Sequence, residues 1–265
     1  MNLVNVLVLG VVEGLTEFLP ISSTFHLILT TKILNITQND FVKVFEVFIQ
    51  SGAILAILSL YLKDLRRDSE LVKKIIASFL PTAIIGFSFY KIIKGVFFES
   101  YYLMLFIFIG VGLIFIIIEE VLRQRSVRVR GYLTSLSWQQ AIVVGVVQSL
   151  AVIPGVSRAG AVIVVMIFMG FRRDEAAKYS FLLAVPTILA ASLFDLFKMR
   201  EVVFTNLSNI GFLSLGFLTA FIFALISVKW FINFLKKNTL EIFGIYRIIL
   251  TIVIVILLLG QLVLL

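Results

Sequence analysis

The chain has 265 residues, of which 61% are hydrophobic, and its mean hydropathy is +1.12. Soluble domains contain only about 45–50% apolar residues, so this composition excludes an ordinary soluble domain and predicts a membrane protein. The net charge of +8 fits Lys- and Arg-rich cytoplasmic loops better than nucleic-acid binding. We therefore expect membrane lipids, and no nucleic acid, as partners. The absence of cysteine excludes disulfide and thiol chemistry.

The first apolar region, residues 1–35, is interrupted by polar side chains and by Pro20. Each part has about 10–15 residues, whereas a helix needs about 20 to cross a bilayer. Broken backbone at membrane depth is tolerated only where it is buried in protein or lines a wet cavity. The region therefore predicts a re-entrant helical hairpin. Its start, MNLVNVLV, has no basic n-region, so we expect no cleaved signal peptide.

The rest of the chain contains six spanning segments and a second interrupted region. That region, 138–170, breaks at Pro154 and Gly155 and predicts a second re-entrant hairpin. The fold class is therefore predicted as an all-α polytopic membrane protein with six transmembrane helices and two re-entrant hairpins. The predicted spans are 45–62, 72–90, 102–119, 176–197, 209–232 and 242–262.

The basic residues predict an orientation. If the first spanning helix runs from outside to inside, the inside loops hold fifteen of the 23 Lys and Arg residues and the outside segments hold six. Arg158 and Arg247 remain, and both fall at membrane depth. Because cytoplasmic loops are enriched in Lys and Arg, this count favours the topology and places both termini outside.

The two interrupted regions also resemble each other. GVVEGLTEFLPISS (10–23) matches GVVQSLAVIPGVSR (145–158), and FEVFIQSGAILA (45–56) matches YSFLLAVPTILA (179–190), at nearly the same spacing along the chain. We interpret this as a duplication within one integral membrane domain, with repeats 1–135 and 136–265. Three spanning helices per repeat make the repeats inverted, an arrangement that brings broken helices together near the bilayer midplane.

The first break combines carboxylates, hydroxyls and the only histidine of the chain. Glu13 and Glu17 are four positions apart and share one helix face. Two carboxylates in a low-dielectric site need a cation or a shared proton, and oxygen ligands suit Mg²⁺ or Ca²⁺. Pro20 is expected to end that helix. Ser22 and Ser23 then begin a new half-helix whose amides form an anion site, and His26 follows one turn later.

The second break, PGVSRAG (154–160), supplies the complementary groups. Gly155 permits a tight turn, Ser157 offers a hydroxyl, and Arg158 begins the second half-helix. Arginine is well shaped to hold phosphate through paired hydrogen bonds. A cation site, a nucleophile, an acid–base group and an oxyanion clamp together indicate phosphoryl transfer.

Several polar residues keep a second interpretation. Serines at a helix break are often only caps. Glu46 and Gln50 would line the cavity or form hydrogen bonds between helices. Arg247 is expected to anchor the last helix near its interface by extending its charge towards water.

These motifs resemble a known family. EGLTEFLPISST followed by His26, PGVSR followed by Gly160, FEVFIQSGAILA, SFLLAVPTILAAS and IFGIYRI are similar to the pattern of the undecaprenyl-diphosphate phosphatases, also called bacitracin-resistance proteins. The resemblance covers nearly the whole chain. It implies the inverted-repeat fold and a bacterial plasma-membrane enzyme, with its active site open to the outer face. That enzyme would hydrolyse undecaprenyl diphosphate to the monophosphate and so recycle the cell-wall lipid carrier.

The resemblance also implies roles for individual residues. Glu13 and Glu17 match the acidic motif that is associated with divalent-metal dependence. Ser23 matches the proposed nucleophile and His26 the family's histidine. The phosphate-binding turn is matched by Ser157–Arg158.

Three residues depart from the family pattern. Phe25 stands where a glycine is usual, Ala159 where a serine is usual, and Val162 where a threonine is usual. The last two remove hydroxyls from the second half-helix, so we expect activity that is retained but weaker or shifted in substrate preference.

Two other functions stay open. Inverted repeats with broken helices are characteristic of secondary transporters, so a flippase or anion carrier would explain the arginine and the glutamates. A weakly active paralogue would explain the three departures. A homodimer is also left open.

Overall fold

The computed structural model describes residues 1–96, 101–124, 131–204 and 206–260. Within these ranges the chain is helical, and its only β-type pairing is a single bridge between Gly131 and Phe171. Part of the charge count lies outside the described residues. This applies to three of the fifteen inside residues, Arg125, Arg128 and Arg130, and to the side chains of two of the six outside residues, Lys91 and Lys94.

Eleven α-helices are present in the described ranges. Six of them are long and apolar enough to cross a membrane, which confirms the all-α polytopic fold class. Each of the six corresponds to one predicted span, although residues 261 and 262 of the last predicted span lie outside the described residues. Two short 3-10 turns, Leu133–Ser135 and Ser149–Val152, flank α6. The helices are α1 (Leu3–Thr16), α2 (Ser23–Ile33), α3 (Asp40–Arg67), α4 (Ser69–Val96), α5 (Tyr101–Gln124), α6 (Trp138–Gln148), α7 (Arg158–Phe168), α8 (Arg173–Lys198), α9 (Arg200–Phe204), α10 (Leu207–Leu235) and α11 (Glu241–Leu259).

The first interrupted region folds as two short helices. Asn2 caps α1 by accepting a hydrogen bond from the amide of Asn5. The prediction that Pro20 ends this helix is wrong by a few residues, because α1 ends at Thr16. Proline disfavours helical backbone at the residue before it, and the chain has already left the helix when it reaches that residue. A new helix, α2, begins at Ser23 as predicted.

The second interrupted region has the same order of elements. Ser137 and Gln140 form a capping box that starts α6. The 3-10 turn then leads into Gly155, whose φ of 96° lies in the left-handed region that glycine tolerates. Helix α7 begins at Arg158 as predicted.

None of these four short helices exceeds 14 residues, so none is long enough to span. Ser22 and Ser157, which occupy matching positions in the two aligned motifs, both have positive φ, at 66° and 70°. This repetition agrees with a duplication. The inverted orientation of the repeats and the re-entrant paths stay predictions.

The helices group into two compact units that each draw on both halves of the sequence. Unit 1 comprises Met1–Leu19, Ser23–Ser69 and Phe181–Phe231. Its apolar core is formed by side chains of α1, α2, α3, α9 and α10. The buried residues of that core are Val6, Leu9, Leu27, Val44, Phe45, Ile49, Val203, Leu213 and Ala220.

Unit 2 comprises Pro20–Ser22, Glu70–Ser180 and Ile232–Leu265. In this unit α5 packs along α11, and α6 packs on α7. Buried Glu119 accepts hydrogen bonds from the Arg173 guanidinium and from the amide of Leu240, so it ties α5 to the beginnings of α8 and α11. The proposed repeat boundary between positions 135 and 136 stays a prediction.

Candidate active site

Two buried carboxylates lie at the end of α1. Glu13 has no solvent exposure, and Glu17 is buried at the helix C-cap. The amide of Glu17 still donates to the carbonyl of Glu13 at 3.0 Å. This bond continues the helical spacing, so the two carboxylates leave the same helix face.

Glu17 is hydrogen-bonded to the first residue of the next helix. The hydroxyl of Ser23 donates to Glu17 Oε2 at 2.5 Å, and both side chains are buried. The contact joins two residues that are separated by the break, and both belong to unit 1. A hydroxyl that is held by a carboxylate is the arrangement of a nucleophile with its base. The hydroxyl at the start of α2 thus bonds a side chain on the other side of the break.

His26 lies one turn after Ser23 on α2 and is also buried. The ring of Phe25 packs edge-to-face against the imidazole, with ring centroids 5.8 Å apart and an interplanar angle of 79°. Phe25 itself is fully buried. The bulk that replaces the family's usual glycine is thus accommodated in the packed interior.

The second break has a serine with positive φ, as the first break does. Ser157 caps α7 by accepting a hydrogen bond from the amide of Gly160 at 3.2 Å. Because a hydroxyl has one donor and two acceptor positions, this cap leaves its O–H able to donate. Ser22 and Ser157 are both buried, and both belong to unit 2.

Arg158 is half-buried, and its guanidinium is hydrogen-bonded to the backbone of α8. Its Nη1 donates to the backbone carbonyl of Ser180 at 2.8 Å. That contact fixes the guanidinium at the start of α7. Ala159 and Val162, the two positions without the family's hydroxyls, are buried on the same helix, where they fill apolar space.

Arg247 corrects a prediction. It was expected to reach the membrane interface, but its side chain has 0% solvent exposure. Its guanidinium donates to backbone carbonyls of both breaks, including Pro20 at 3.0 Å and Gly155 at 2.8 Å. A charge with this many carbonyl partners gains nothing by extending towards water, which is why the expectation failed.

Glu46 and Gln148 have specific hydrogen-bond partners. Glu46 accepts a hydrogen bond from Gln38, in the linker between α2 and α3, at 3.1 Å. This bond is not between two helices, so both expected roles of Glu46 stay predictions. Gln148, the counterpart of Glu13 in the predicted repeat, is fully buried and donates to Thr82 at 2.8 Å. The match between the two sequence motifs was the signal that could have identified Gln148.

The predicted site residues fall into two groups. Unit 1 contains Glu13, Glu17, Ser23 and His26, whereas unit 2 contains Ser22, Gly155, Ser157 and Arg158. Within unit 1 the predicted acid–base and nucleophile residues are brought into direct contact. The convergence of the two groups on one substrate stays a prediction.

The chain is similar to a well-populated family. The family model described as bacitracin resistance protein BacA matches residues 6–253. The undecaprenyl-diphosphatase of Aquifex aeolicus (strain VF5) is 49% identical over 246 residues, which cover 93% of this chain and 94% of the relative. The proteins of the same name from Persephonella marina (strain DSM 14350 / EX-H1) and Campylobacter hominis (strain ATCC BAA-381) are 45% and 44% identical, and each match covers 94% of this chain and 96% of the relative.

Proposed function

The chain belongs to the bacitracin resistance protein BacA family, and we propose that it is a membrane hydrolase that removes the terminal phosphate of undecaprenyl diphosphate. The products are undecaprenyl phosphate and inorganic phosphate. The activity recycles the cell-wall lipid carrier and confers bacitracin resistance. Relatives named undecaprenyl-diphosphatase, which align over nearly their whole length, support the substrate.

The observation that carries the proposal is the hydrogen bond from the Ser23 hydroxyl to Glu17. A serine hydroxyl is a weak nucleophile until a neighbouring base accepts its proton. The carboxylate of Glu17 is such a base, and it is already in contact. Of the two candidates for handling the proton, His26 and Glu17, this geometry favours Glu17.

The reaction then proceeds in two displacements. Ser23 Oγ attacks the terminal phosphorus as its proton passes to Glu17, and the bond from that phosphorus to the bridging oxygen breaks. Undecaprenyl phosphate leaves with the electrons of that bond and takes up the proton from Glu17, which returns to the carboxylate. Water next attacks the phosphoserine as its proton passes to Glu17. The bond from phosphorus to Ser23 Oγ breaks, Glu17 returns the proton to Oγ, and inorganic phosphate is released with Ser23 restored.

Phosphate binding is assigned to the starts of the two second half-helices. Amides at a helix N-terminus favour an anion, and α2 and α7 both begin directly after a serine with positive φ. Ser22, Gly155, Ser157 and Arg158 are the proposed binding residues. The Arg158 guanidinium, which is anchored on Ser180, neutralises phosphate charge.

Glu13 and Glu17 are the proposed ligands of a divalent cation, Mg²⁺ or Ca²⁺. Two buried carboxylate groups one turn apart fit a hard cation that also takes oxygens from substrate phosphate and water. In the described ranges, no group of three or more His, Cys, Asp or Glu side chains could hold a metal ion. The proposed cation therefore takes its other ligands from substrate phosphate and water. When bound, the cation supplies charge neutralisation and orientation of the diphosphate.

We place the enzyme in the bacterial plasma membrane, with six membrane-crossing helices and the site open to the outer face. The Lys and Arg count supports the topology with both termini outside, and the family resemblance favours a site that opens to the outer face. The prenyl tail of the substrate lies among apolar helices in the bilayer. A homodimer is the oligomeric state that we propose to test.

The test is phosphate release from undecaprenyl diphosphate by the purified protein in detergent, where no gradient can drive transport. The wild type should release phosphate, and Ser23→Ala should reduce kcat by at least about 1,000-fold, because the attacking group is lost. Thr30→Val is the control, since Thr30 lies on the same helix and only donates to the carbonyl of His26.

Each contrary result has a definite meaning. A wild-type protein without phosphate release in the presence of Mg²⁺ or Ca²⁺ would exclude the proposed function and favour the transporter alternative. Full activity of Ser23→Ala would keep the hydrolase but replace serine attack by direct attack of water.

A further inference from the structure

Arg247 is the most completely buried cation among the residues that the structure describes, and it lies within α11. Its hydrogen bonds all go to backbone carbonyl oxygens of unit 2. Nε donates to Pro20 at 3.0 Å. Nη1 donates to Gly155 at 2.8 Å and to Phe108 at 3.3 Å, and Nη2 donates to Val156 at 3.4 Å.

The neighbouring helix is shaped to admit this side chain. A Cβ on Gly112 of α5 would lie 3.0 Å from the Cβ of Arg247, and one on Gly244 would lie 2.6 Å from the carbonyl oxygen of Gly112. The two glycines therefore let α5 and α11 approach closely. The guanidinium carbon then lies 4.6 Å and 5.3 Å from the ring centroids of Phe108 and Phe115, within the range of cation–π attraction.

Three of the four bonded carbonyls belong to the two breaks. Pro20 belongs to the first break, and Gly155 and Val156 belong to the second. A broken helix leaves carbonyl oxygens without intrahelical donors, and in a membrane each such group must be satisfied by protein. Arg247 does this for both breaks at once with three hydrogen bonds, and a fourth goes to Phe108 on α5. Together they use four of the five N–H donors of a guanidinium.

The charge of Arg247 has no carboxylate partner among the described residues; carbonyl dipoles and ring faces surround it instead. A buried cation that is paired with a carboxylate contributes little field, because the partner cancels it. Arg247 keeps its field, and that field is positive at the loops that carry Ser22 and Ser157. An anionic ligand at these loops is favoured by that field.

We propose that Arg247 is a positioning residue. Its hydrogen bonds to carbonyls of both breaks hold the breaks together and orient both phosphate-binding turns. It does not touch the substrate. Its planar fork holds Pro20 and Gly155 in one register, so that the turns at Ser22 and Ser157 are pre-organised for the two phosphates of the diphosphate. This inference rests on the proposed function, because it assigns the turns to diphosphate binding.

The experiment compares Arg247→Lys and Arg247→Met with Glu119→Gln in the full-length protein. Lysine keeps the charge but has only three donors and no planar fork. Glu119 is the matched control, since it is buried and charged and also joins α5 to the start of α11. Three quantities are measured for each: the thermal midpoint in detergent, kcat and KM for undecaprenyl diphosphate, and the Kd of a non-hydrolysable polyprenyl methylenediphosphonate.

We expect both Arg247 variants to lose kcat by about 100-fold, because small displacements of positioned groups have effects of that size. Their Kd for the diphosphonate should rise by at least about tenfold. Glu119→Gln should lower the thermal midpoint by a similar amount with much smaller changes in kcat and Kd. If kcat fell and Kd rose equally in the control and in the Arg247 variants, the proposal would be overturned, because loss of stability alone would then explain both changes.

Gly112→Ala keeps the proposal testable if the Arg247 variants do not fold. Its added Cβ would press on the Arg247 stem at 3.0 Å without removing the guanidinium. We expect weaker diphosphonate binding in this variant, and wild-type binding would overturn the proposal.

The two proposals fail differently. Absence of phosphate release from a wild type that binds the diphosphonate would exclude the hydrolase but not the positioning role. Diphosphonate binding that is equal in the wild type and Arg247→Lys would exclude the positioning role alone. A wild type that neither hydrolyses nor binds would exclude both.

Discussion

The two broken segments of this protein share a backbone plan but carry different chemistry. Each has a short helix, a break, a serine with positive φ and a second short helix. When 10–23 is aligned with 145–158, Glu13 corresponds to Gln148, and Glu17 corresponds to Val152. The first segment thus buries two carboxylates where the second has an amide and an aliphatic side chain.

This difference separates scaffold from function. The amide of Gln148 donates to Thr82 on α4, a neutral contact that stabilises packing. Glu17 instead accepts a hydrogen bond from the Ser23 hydroxyl, the contact on which the proposed serine attack rests. The two breaks therefore share a backbone plan, whereas the side chains at matching positions differ in charge and in hydrogen bonding.

The largest test removes the charge that distinguishes the first segment. Glu17→Gln keeps the shape of the side chain but cannot accept the serine proton, so kcat should fall by about 100- to 10,000-fold, the range of general base catalysis. Phosphate release in detergent measures it.

The control for this variant is Thr16→Val, since the Thr16 hydroxyl only donates back to the carbonyl of Val12 within α1. It should keep near-wild-type kcat. If Glu17→Gln matched this control, the carboxylate would have no role in proton transfer.

The next test gives the first segment the amide of the second. Glu13→Gln removes one of two proposed cation ligands, so the Mg²⁺ or Ca²⁺ concentration for half-maximal activity should rise by at least about tenfold. Titration of the chelator-treated enzyme with each cation measures the shift.

Glu70→Gln provides the comparison, because Glu70 is an exposed carboxylate that pairs with Lys73. Its cation dependence should equal that of the wild type. An unchanged cation requirement in Glu13→Gln would remove Glu13 from the proposed ligand set.

The smallest test concerns packing of the two segments. A Cβ on Gly145 would lie 2.1 Å from the backbone oxygen of Ser78, whereas one on Gly10 would lie 2.8 Å from the Cβ of Thr219. Overpacking costs about 1–3 kcal/mol, so Gly145→Ala should lower the thermal midpoint more than Gly10→Ala.

Gly110→Ala is the reference for both, since nothing lies within 4 Å of the added Cβ. Alanine favours a helix over glycine by about 1 kcal/mol, so this variant should be unchanged or slightly stabilised. Equal midpoints for Gly145→Ala and Gly10→Ala would mean that the two segments have equal room to adjust.

Much of the fold could be predicted because membrane helices are chosen by length and hydropathy, which are local properties. The six spans and both breaks follow from this rule. The end of α1 was less predictable. A proline signals that helix stops before it, but how far before depends on what the turn between Glu17 and Ser22 can bond to.

The role of Arg247 could not be predicted at all. A lone arginine in an apolar helix near its end fits a residue that extends its charge to the interface, and no local pattern distinguishes that case from burial. Its carbonyl partners, Pro20 and Gly155, are far away along the chain. Only the folded chain brings them within hydrogen-bond distance.

The sequence by itself determined the membrane class, the six spans, the two breaks and the residue types of the site, because composition and spacing are enough for each. Tertiary structure decided the pairings. It joined Ser23 to Glu17 rather than leaving the serine as a cap, anchored Arg158 on Ser180, and buried Arg247 among carbonyls. The physical reason is that a hydrogen bond depends on the distance and direction between two groups, and the sequence specifies which groups exist but not which of them meet.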